Sequence, residues 1–250
     1  MTARSKVVIG LRLGLLPACG SDPALPPTPP PSCADVTSHI HRNSTCGGSA
    51  DFTPINSYTG DITAVQDRED AVVLIDGMCT GTLVAAANGP VVLTAGHCVS
   101  LDQQVTVAFN VEANPDGDTL TTNGTTIEQA DDPDYALIRL DKLPHVTPTS
   151  LTTTPTDRLA IIQHPLGEAK QVAVGNVATD CSSILMYDVD TRVGSSGAGV
   201  LTDAGLVVAV HSDGDCSSDG GGANWGSKIS AIIGVSTYLG DADVVESSGD

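Results

Sequence analysis

The stretch VVLTAGHCVS, residues 91–100, decides the fold. Strand formers run up to two small residues, Ala95 and Gly96, and deliver His97 beside Cys98. Two readings of that ring compete. It is a structural histidine tucked beside a disulfide, or a general base held at the end of a strand. The neighbouring sequence supports the strand. Similar short runs are AVVLI (71–75), TLVAA (82–86), VTVAF (105–109), YALIRL (135–140), LAIIQH (159–164), QVAVGNV (171–177), ILMYDV (184–189) and LVVAVHS (206–212). Between them lie turn signals such as NG at 88–89, PDG at 115–117 and DAG at 203–205. Many short strands with tight turns predict an all-β barrel or sandwich. One helix is predicted, roughly 228–238, where Ile229, Ile232, Ile233 and Tyr238 share a face.

The 250 residues suffice for one large domain or two small packed units. Hydrophobic residues are 40% and aromatics 3%, so the core must be aliphatic. The net charge of −19 argues against nucleic acid, whose phosphates need Lys and Arg. It argues equally against an anionic lipid surface, and it favours a soluble monomer. Seven cysteines leave one without a partner. Cys19 is that one. The opening MTARSKVVIGLRLGLLPAC has basic residues, an apolar stretch and then LPAC, and it resembles a bacterial lipoprotein signal. Arg12 and Pro17 depart from that pattern. Residues 1–19 are therefore expected to be a signal peptide, with Cys19 acylated as a membrane tether and the protein extracytoplasmic. No other apolar run is long enough to span a bilayer. Export places the remaining cysteines in an oxidising compartment, enough for three disulfides. Residues 20–32 read as an extended Pro-rich tether. Residues 33–60 are polar and weakly patterned, and a pro-segment, a disulfide-pinned arm and a loose lead-in all remain open.

Nucleophilic serine catalysis needs a hydroxyl, a neutral imidazole to take its proton, and a buried carboxylate to hold the imidazole. It also needs N–H groups for the oxyanion. TAGHC supplies His97, DYALIRL supplies Asp134 just before an apolar strand, and GSSGAG supplies Ser196 among glycines. The order His, Asp, Ser excludes the α/β-hydrolase order, and Ala198 stands where a Gly-x-Ser-x-Gly elbow would carry its second glycine.

Taken in order, CTGTLV, VLTAGHC, DYALIRL, IIQHPLGEAKQVAV, YDVDTRVGSSGAGV, VVAVHSDGDC and NWGSKI resemble a chymotrypsin-fold serine endopeptidase. The nearest branch is the bacterial one containing glutamyl and lysyl endopeptidases. The resemblance runs from about Cys79 to Ile233 and assigns residues 61–245 to a trypsin-like serine protease domain. It implies two packed six-stranded antiparallel β-barrels, about 61–148 and 155–240, with a short C-terminal helix. It implies His97 as general base, Asp134 as its orienting acid and Ser196 as nucleophile, with an oxyanion hole from the N–H groups of Gly194 and Ser196. No cofactor and no metal are implied, and the partners are protein or peptide substrates. Cys79 and Cys98 match the family disulfide beside the histidine. The other bridges are expected as Cys181–Cys216 and Cys33–Cys46, with an alternative that ties the N-terminal arm to Cys216, as in lysyl endopeptidases.

Other candidates read as bland. Asp131 and Asp132 lie in a polar turn. Ser195 yields to Ser196 because the family's reactive serine directly precedes glycine. His39, His41 and His145 read as surface residues, and His164 as a structural position at a strand end. Trypsin-like enzymes carry Asp where Ser195 stands, so activation through an ammonium–carboxylate pair is not expected. Gly199 replaces a frequent proline.

The resemblance places Asp190, Thr191, His211, Ser212 and Gly214 around the substrate. Thr191 and His211 stand where glutamyl endopeptidases carry threonine and histidine, both able to donate to a carboxylate. Asp190 would instead favour Lys or Arg, and Ala223 stands near the lysyl enzymes' acid. The reading leans to Glu or Asp at P1. The alternative function is an inactive, protease-like surface binding protein, whose usual mark, a missing triad member, is not found here. A purely structural tethered lipoprotein fits the stalk but leaves the triad unexplained.

Overall fold

The computed structural model describes residues 31–34 and 44–246. The expected leader with Cys19, most of the Pro-rich tether, His39 and His41 lie outside the described residues.

Six strands form the first barrel: β2 (Val72–Ile75), β3 (Cys79–Val84), β4 (Val91–Thr94), β5 (Gln104–Phe109), β6 (Leu120–Asp131) and β7 (Asp134–Leu140). They close antiparallel in the order β2-β3-β4-β7-β6-β5. The second barrel holds β8 (Arg158–Gln163), β9 (Gln171–Asp180), β10 (Ile184–Tyr187), β11 (Gly199–Thr202), β12 (Val207–Gly214) and β13 (Asn224–Lys228). Its order is β9-β10-β13-β12-β11-β8, and β8 pairing with β9 closes the ring. A short strand from the arm, β1 (Thr53–Pro54), pairs with the start of β9.

The apolar runs are continuous because both faces of these strands are buried. In a strand, alternate side chains point to opposite faces. Val73, Ile75, Val92, Ala136 and Ile138 fill the first barrel. Their neighbours Val72, Val91, Leu93 and Leu137 instead join the seam between barrels. The second barrel repeats the device, with Leu159, Ile161 and Val200 inside and Ala160, Ile162 and Leu201 on the seam. Each fully buried aliphatic side chain contributes about 1.5–3 kcal/mol relative to exposure. The seam therefore holds the two barrels as one body, and the site lies where their strand ends meet.

A buried charge also crosses the seam. Lys170 is 0% exposed. Its Nζ donates to Glu69 O (2.7 Å), Glu69 Oε2 (2.6 Å) and Glu112 Oε1 (2.8 Å). Glu112 follows β5, Glu69 follows the short helix α1 (Ala64–Arg68), and Lys170 precedes β9. Three segments are thus held by one ammonium, which is tolerable when buried because every proton has an acceptor. Asp116 joins the two glutamates in a grouping of metal-ligand type. The ammonium already supplies the positive charge there.

Two expectations need correction. The expected bridges Cys181–Cys216 and Cys33–Cys46 are not formed: Cys33 pairs with Cys181, and Cys46 with Cys216 as in the alternative that ties the arm to Cys216, while Cys79 pairs with Cys98 as expected. The physical reason is the course of the arm. It runs along the second barrel, hydrogen-bonded to Thr191 and Ser217, so its cysteines meet that barrel rather than each other. Closing loops of 148 and 170 residues restricts the unfolded chain by about 5 kcal/mol each on the chain-entropy account. The C-terminal helix α2 spans only Ile229–Ile233. Gly234 and the poor helix formers Val235, Ser236 and Thr237 end it. Tyr238 leaves the helix to donate to Asn88 O and Gly89 O.

Candidate active site

His97 follows β4 on a single turn, Gly96–Cys98. The turn presses against the β6–β7 hairpin. A side chain at Gly96 would collide with Ala130 O and come within 2.9 Å of Tyr135 O, so only glycine allows the approach. Asp134, the first residue of β7, then takes two hydrogen bonds from the turn. The His97 backbone N–H donates to Oδ1 (3.0 Å), and Nδ1 lies 2.8 Å from Oδ2.

Burial pushes the Asp134 carboxyl up, but bonds from the His97 ring, the His97 N–H and the Ser212 hydroxyl outweigh it. Its pKa lies below the ordinary value, so the group is a carboxylate, which can only accept. Nδ1 must therefore carry the ring hydrogen, and Nε2 of the neutral ring is the acceptor. That is the tautomer a general base requires.

Ser196 comes from the second barrel on a turn built by Gly194 (φ +97°) and Gly197 (φ +87°). A Cβ on Gly197 would strike Thr94 Oγ1 and Thr80 O, and one on Gly194 would come within 2.5 Å of His164 O. Thr80 pins this turn from the first barrel. Its N–H donates to Ser196 O (2.9 Å) and its hydroxyl to Gly194 O (2.7 Å), while the hydroxyl accepts the His164 N–H (2.9 Å). Cys98 Sγ lies 3.7 Å from Ser196 O, which seats the serine turn against the histidine turn. Ser195 is 0% exposed, and its hydroxyl accepts the Arg192 N–H at 3.0 Å. It is a structural member of the turn. The N–H groups of Gly194 and Ser196 meet no acceptor among the described residues, whereas Leu166 N–H holds Val193 O at 2.6 Å and so orients the peptide carrying the Gly194 N–H.

A cleft beside Ser196 is lined by Thr191, Arg192, Val193, His211, Ser212, Asp213 and Gly214. His211 is fixed from behind by Tyr187, whose hydroxyl lies 2.7 Å from Nδ1. Burial raises the Tyr187 pKa well above 10, so the phenol keeps its proton to donate. Asp190 requires correction. It does not line the cleft. Its Oδ1 accepts the Cys46 N–H and its Oδ2 the Asp51 N–H, both at 2.7 Å. Burial drives its pKa up and the two N–H bonds pull it down, leaving it raised. A carboxylate committed to the arm is not available to a substrate cation.

Asp131, Asp132 and His145 are exposed. Thr80, Tyr187 and Asn224 fall inside stretches that carry the resemblance, but nothing in the sequence marks their individual roles. His164 is fully buried, with Nδ1 2.9 Å from Glu168 O and no partner at Nε2 among the described residues. Burial draws its pKa down to about 4, against the Glu168 carbonyl and with help from Lys170. The unfolded value is about 6.5. Stability is therefore full above pH ~6.5 and declines toward pH 4, as the unfolded chain gains a proton that the folded one refuses. By urea titration, His164→Asn should lose roughly 2–3 kcal/mol less than wild type between pH 7 and 4.5. Equal losses would contradict this.

The trypsin-like peptidase domain model matches residues 79–210. No curated protein matches the chain. Among solved structures, the chain is similar to the apo MamO protease domain from Magnetospirillum magneticum, with TM-score 0.55 and 16% identity over 67% of this chain and 96% of that one. A serine endoprotease from Yersinia pestis gives TM-score 0.57 and 16% identity, covering 71% and 65%. A Glu endopeptidase in complex with MPD gives TM-score 0.55 and 21% identity, covering 74% and 93%. At these identities the likeness is one of fold.

Proposed function

The chain belongs to the trypsin-like peptidase family, and on that premise we propose that it is an active serine endopeptidase. Ser196 attacks the scissile carbonyl, His97 takes its proton through Nε2, and Asp134 holds the imidazole and stabilises the imidazolium. The N–H groups of Gly194 and Ser196 receive the oxyanion. The tetrahedral intermediate collapses as the scissile C–N bond breaks, and the His97 imidazolium gives its proton to the leaving amine. The resulting acyl-enzyme is hydrolysed by water with His97, neutral again, as base. The observation that carries this reading is the paired grip of Asp134 on His97, ring and backbone together, beside the turn that bears Ser196.

The P1 residue is acidic. Thr191 and His211 both line the cleft beside Ser196, and each can donate to a carboxylate. The commitment of Asp190 to the arm removes the reason to expect Lys or Arg. A Glu endopeptidase is among the structures that share the fold. Peptides differing only at P1 test this, with fastest hydrolysis expected after Glu or Asp. Fastest hydrolysis after Lys would overturn it. The protein works outside the cytoplasm as a monomer, held to a membrane through Cys19. Three disulfides support the oxidising compartment.

A further inference from the structure

Three turns pack against one another at the edge of the site, and each holds a large apolar side chain out to solvent. Met78, in the turn between β2 and β3, is 53% exposed, Leu166 is 49% and Val193 is 40%. Their backbones are in contact. The Leu166 N–H holds Val193 O at 2.6 Å. A Cβ on Gly167 would collide with Gly77 O and lie 3.6 Å from the Met78 Cα, and one on Gly194 would come within 2.9 Å of the Leu166 nitrogen. Leu166 also sits at φ +60°, the left-handed region that side chains rarely adopt. Strain of that kind gathers at ligand-binding sites, and here it brings no burial of the leucine.

These turns lie on the leaving side of the scissile bond. Residues 191–193 and 211–214 line the cleft read above as P1, so the acyl part of the substrate lies there. The amine leaves with a proton from His97, so the chain behind it runs out past the histidine turn. Cys98, next to His97, is bridged to Cys79, and Met78 immediately precedes Cys79. Thr80, two residues after Met78, donates its N–H to Ser196 O at 2.9 Å. Val193 stands between the two sides, lining the P1 cleft while its carbonyl meets Leu166.

We propose that Met78, Leu166 and Val193 form an apolar seat for the leaving segment of the substrate, so that the enzyme selects a large apolar side chain within the first two residues after the scissile bond. This rests on the peptidase reading and on no particular P1. An extended chain sends alternate side chains to opposite faces, so one of those two positions meets the seat and the other faces water. Fully burying a leucine side chain corresponds to roughly 10- to 100-fold in binding. An open seat covers part of it, so selection of about tenfold over a small polar residue is expected.

The experiment uses the full chain, titrated with a fluorophosphonate so that rates refer to competent enzyme. Two peptide series vary P1′ or P2′ over Leu, Phe, Ser and Asp, each made with Glu, Asp, Ala and Lys at P1. In one series kcat/KM for Leu should exceed that for Ser about tenfold, and the other series should be nearly flat. Leu166→Asn removes the apolar side chain and keeps a residue that tolerates the left-handed backbone. Combined with Met78→Ser, it should bring the Leu-to-Ser ratio down to about 2 or less. Met78→Ser alone should lower the ratio about threefold, and it carries the test if the double variant does not fold. Equal rates for Leu and Ser in both series, or a ratio that survives the substitutions, would overturn the seat while leaving the peptidase intact. Titration without hydrolysis of any peptide would overturn it as well. A wild type that neither titrates nor hydrolyses would instead remove the peptidase reading, and the seat with it.

Discussion

Ser196→Ala is expected to lower kcat about a millionfold, with KM and the melting temperature little changed. The reaction needs an oxygen nucleophile at this position, and alanine removes that atom alone. The backbone survives the change, because Ser196 is held through its carbonyl, which accepts the Thr80 N–H. Its own N–H also remains for the oxyanion. Residual activity above the uncatalysed rate is expected from that N–H and from substrate binding. Ser195→Ala is the internal control. It removes an acceptor from Arg192 N–H and should cost about 1 kcal/mol of stability with the chemistry intact. Steady-state kinetics on both variants would show a reversed order if Ser195 were the nucleophile.

Asp134→Asn is expected to lower kcat about 10⁴-fold. Asp134 now accepts two hydrogen bonds from His97, one on each oxygen. An amide has one oxygen and one NH2. If its oxygen keeps the backbone N–H, its NH2 faces Nδ1 and can only donate there. Nδ1 then becomes the acceptor, Nε2 acquires the hydrogen, and the ring can no longer take a proton from Ser196. The imidazolium also loses the charge that stabilises it. The fold should tolerate the isosteric change, so circular dichroism and thermal melting should stay close to wild type. Retention of more than a tenth of the wild-type kcat would contradict an orienting role for Asp134.

The fold was legible wherever apolar side chains are buried on both faces. VVLI in β2, VVLT in β4 and the centre of β7 are hidden almost entirely, and their composition announces it. Two of the strands that no apolar run marks, β6 and β13, are polar for structural reasons. β6 reads LTTNGTTIEQAD and is mostly half-buried or exposed, so no apolar run marks it. β13 reads NWGSK and is wholly buried, but the Asn224 Nδ2 donates to the Ser44 and Val189 carbonyls and the Lys228 Nζ to Asp180. Such a strand is recognised by its partners, which a linear sequence does not display. The same holds for the disulfides. Cysteine positions state how many bridges can form, not which ends meet, and the path of residues 44–51 along the second barrel decided the pairing.

The site divides similarly. His97, Asp134 and Ser196 stand at strand ends and among glycines whose crowding leaves no alternative, so local sequence marks them. Asp190 misleads because its position suggests a pocket acid, while the arm, far upstream in sequence, supplies the N–H groups that take both its oxygens. The cleft beside Ser196 is a composite of segments joined only by folding.

The most direct test treats the folded wild-type chain and His97→Ala with a fluorophosphonate and maps the adduct by peptide mass. A single adduct on Ser196 in the wild type, lost in the histidine variant, is the predicted result. No adduct in the folded wild type, or an adduct on Ser195, would contradict the claim that His97 activates the Ser196 hydroxyl.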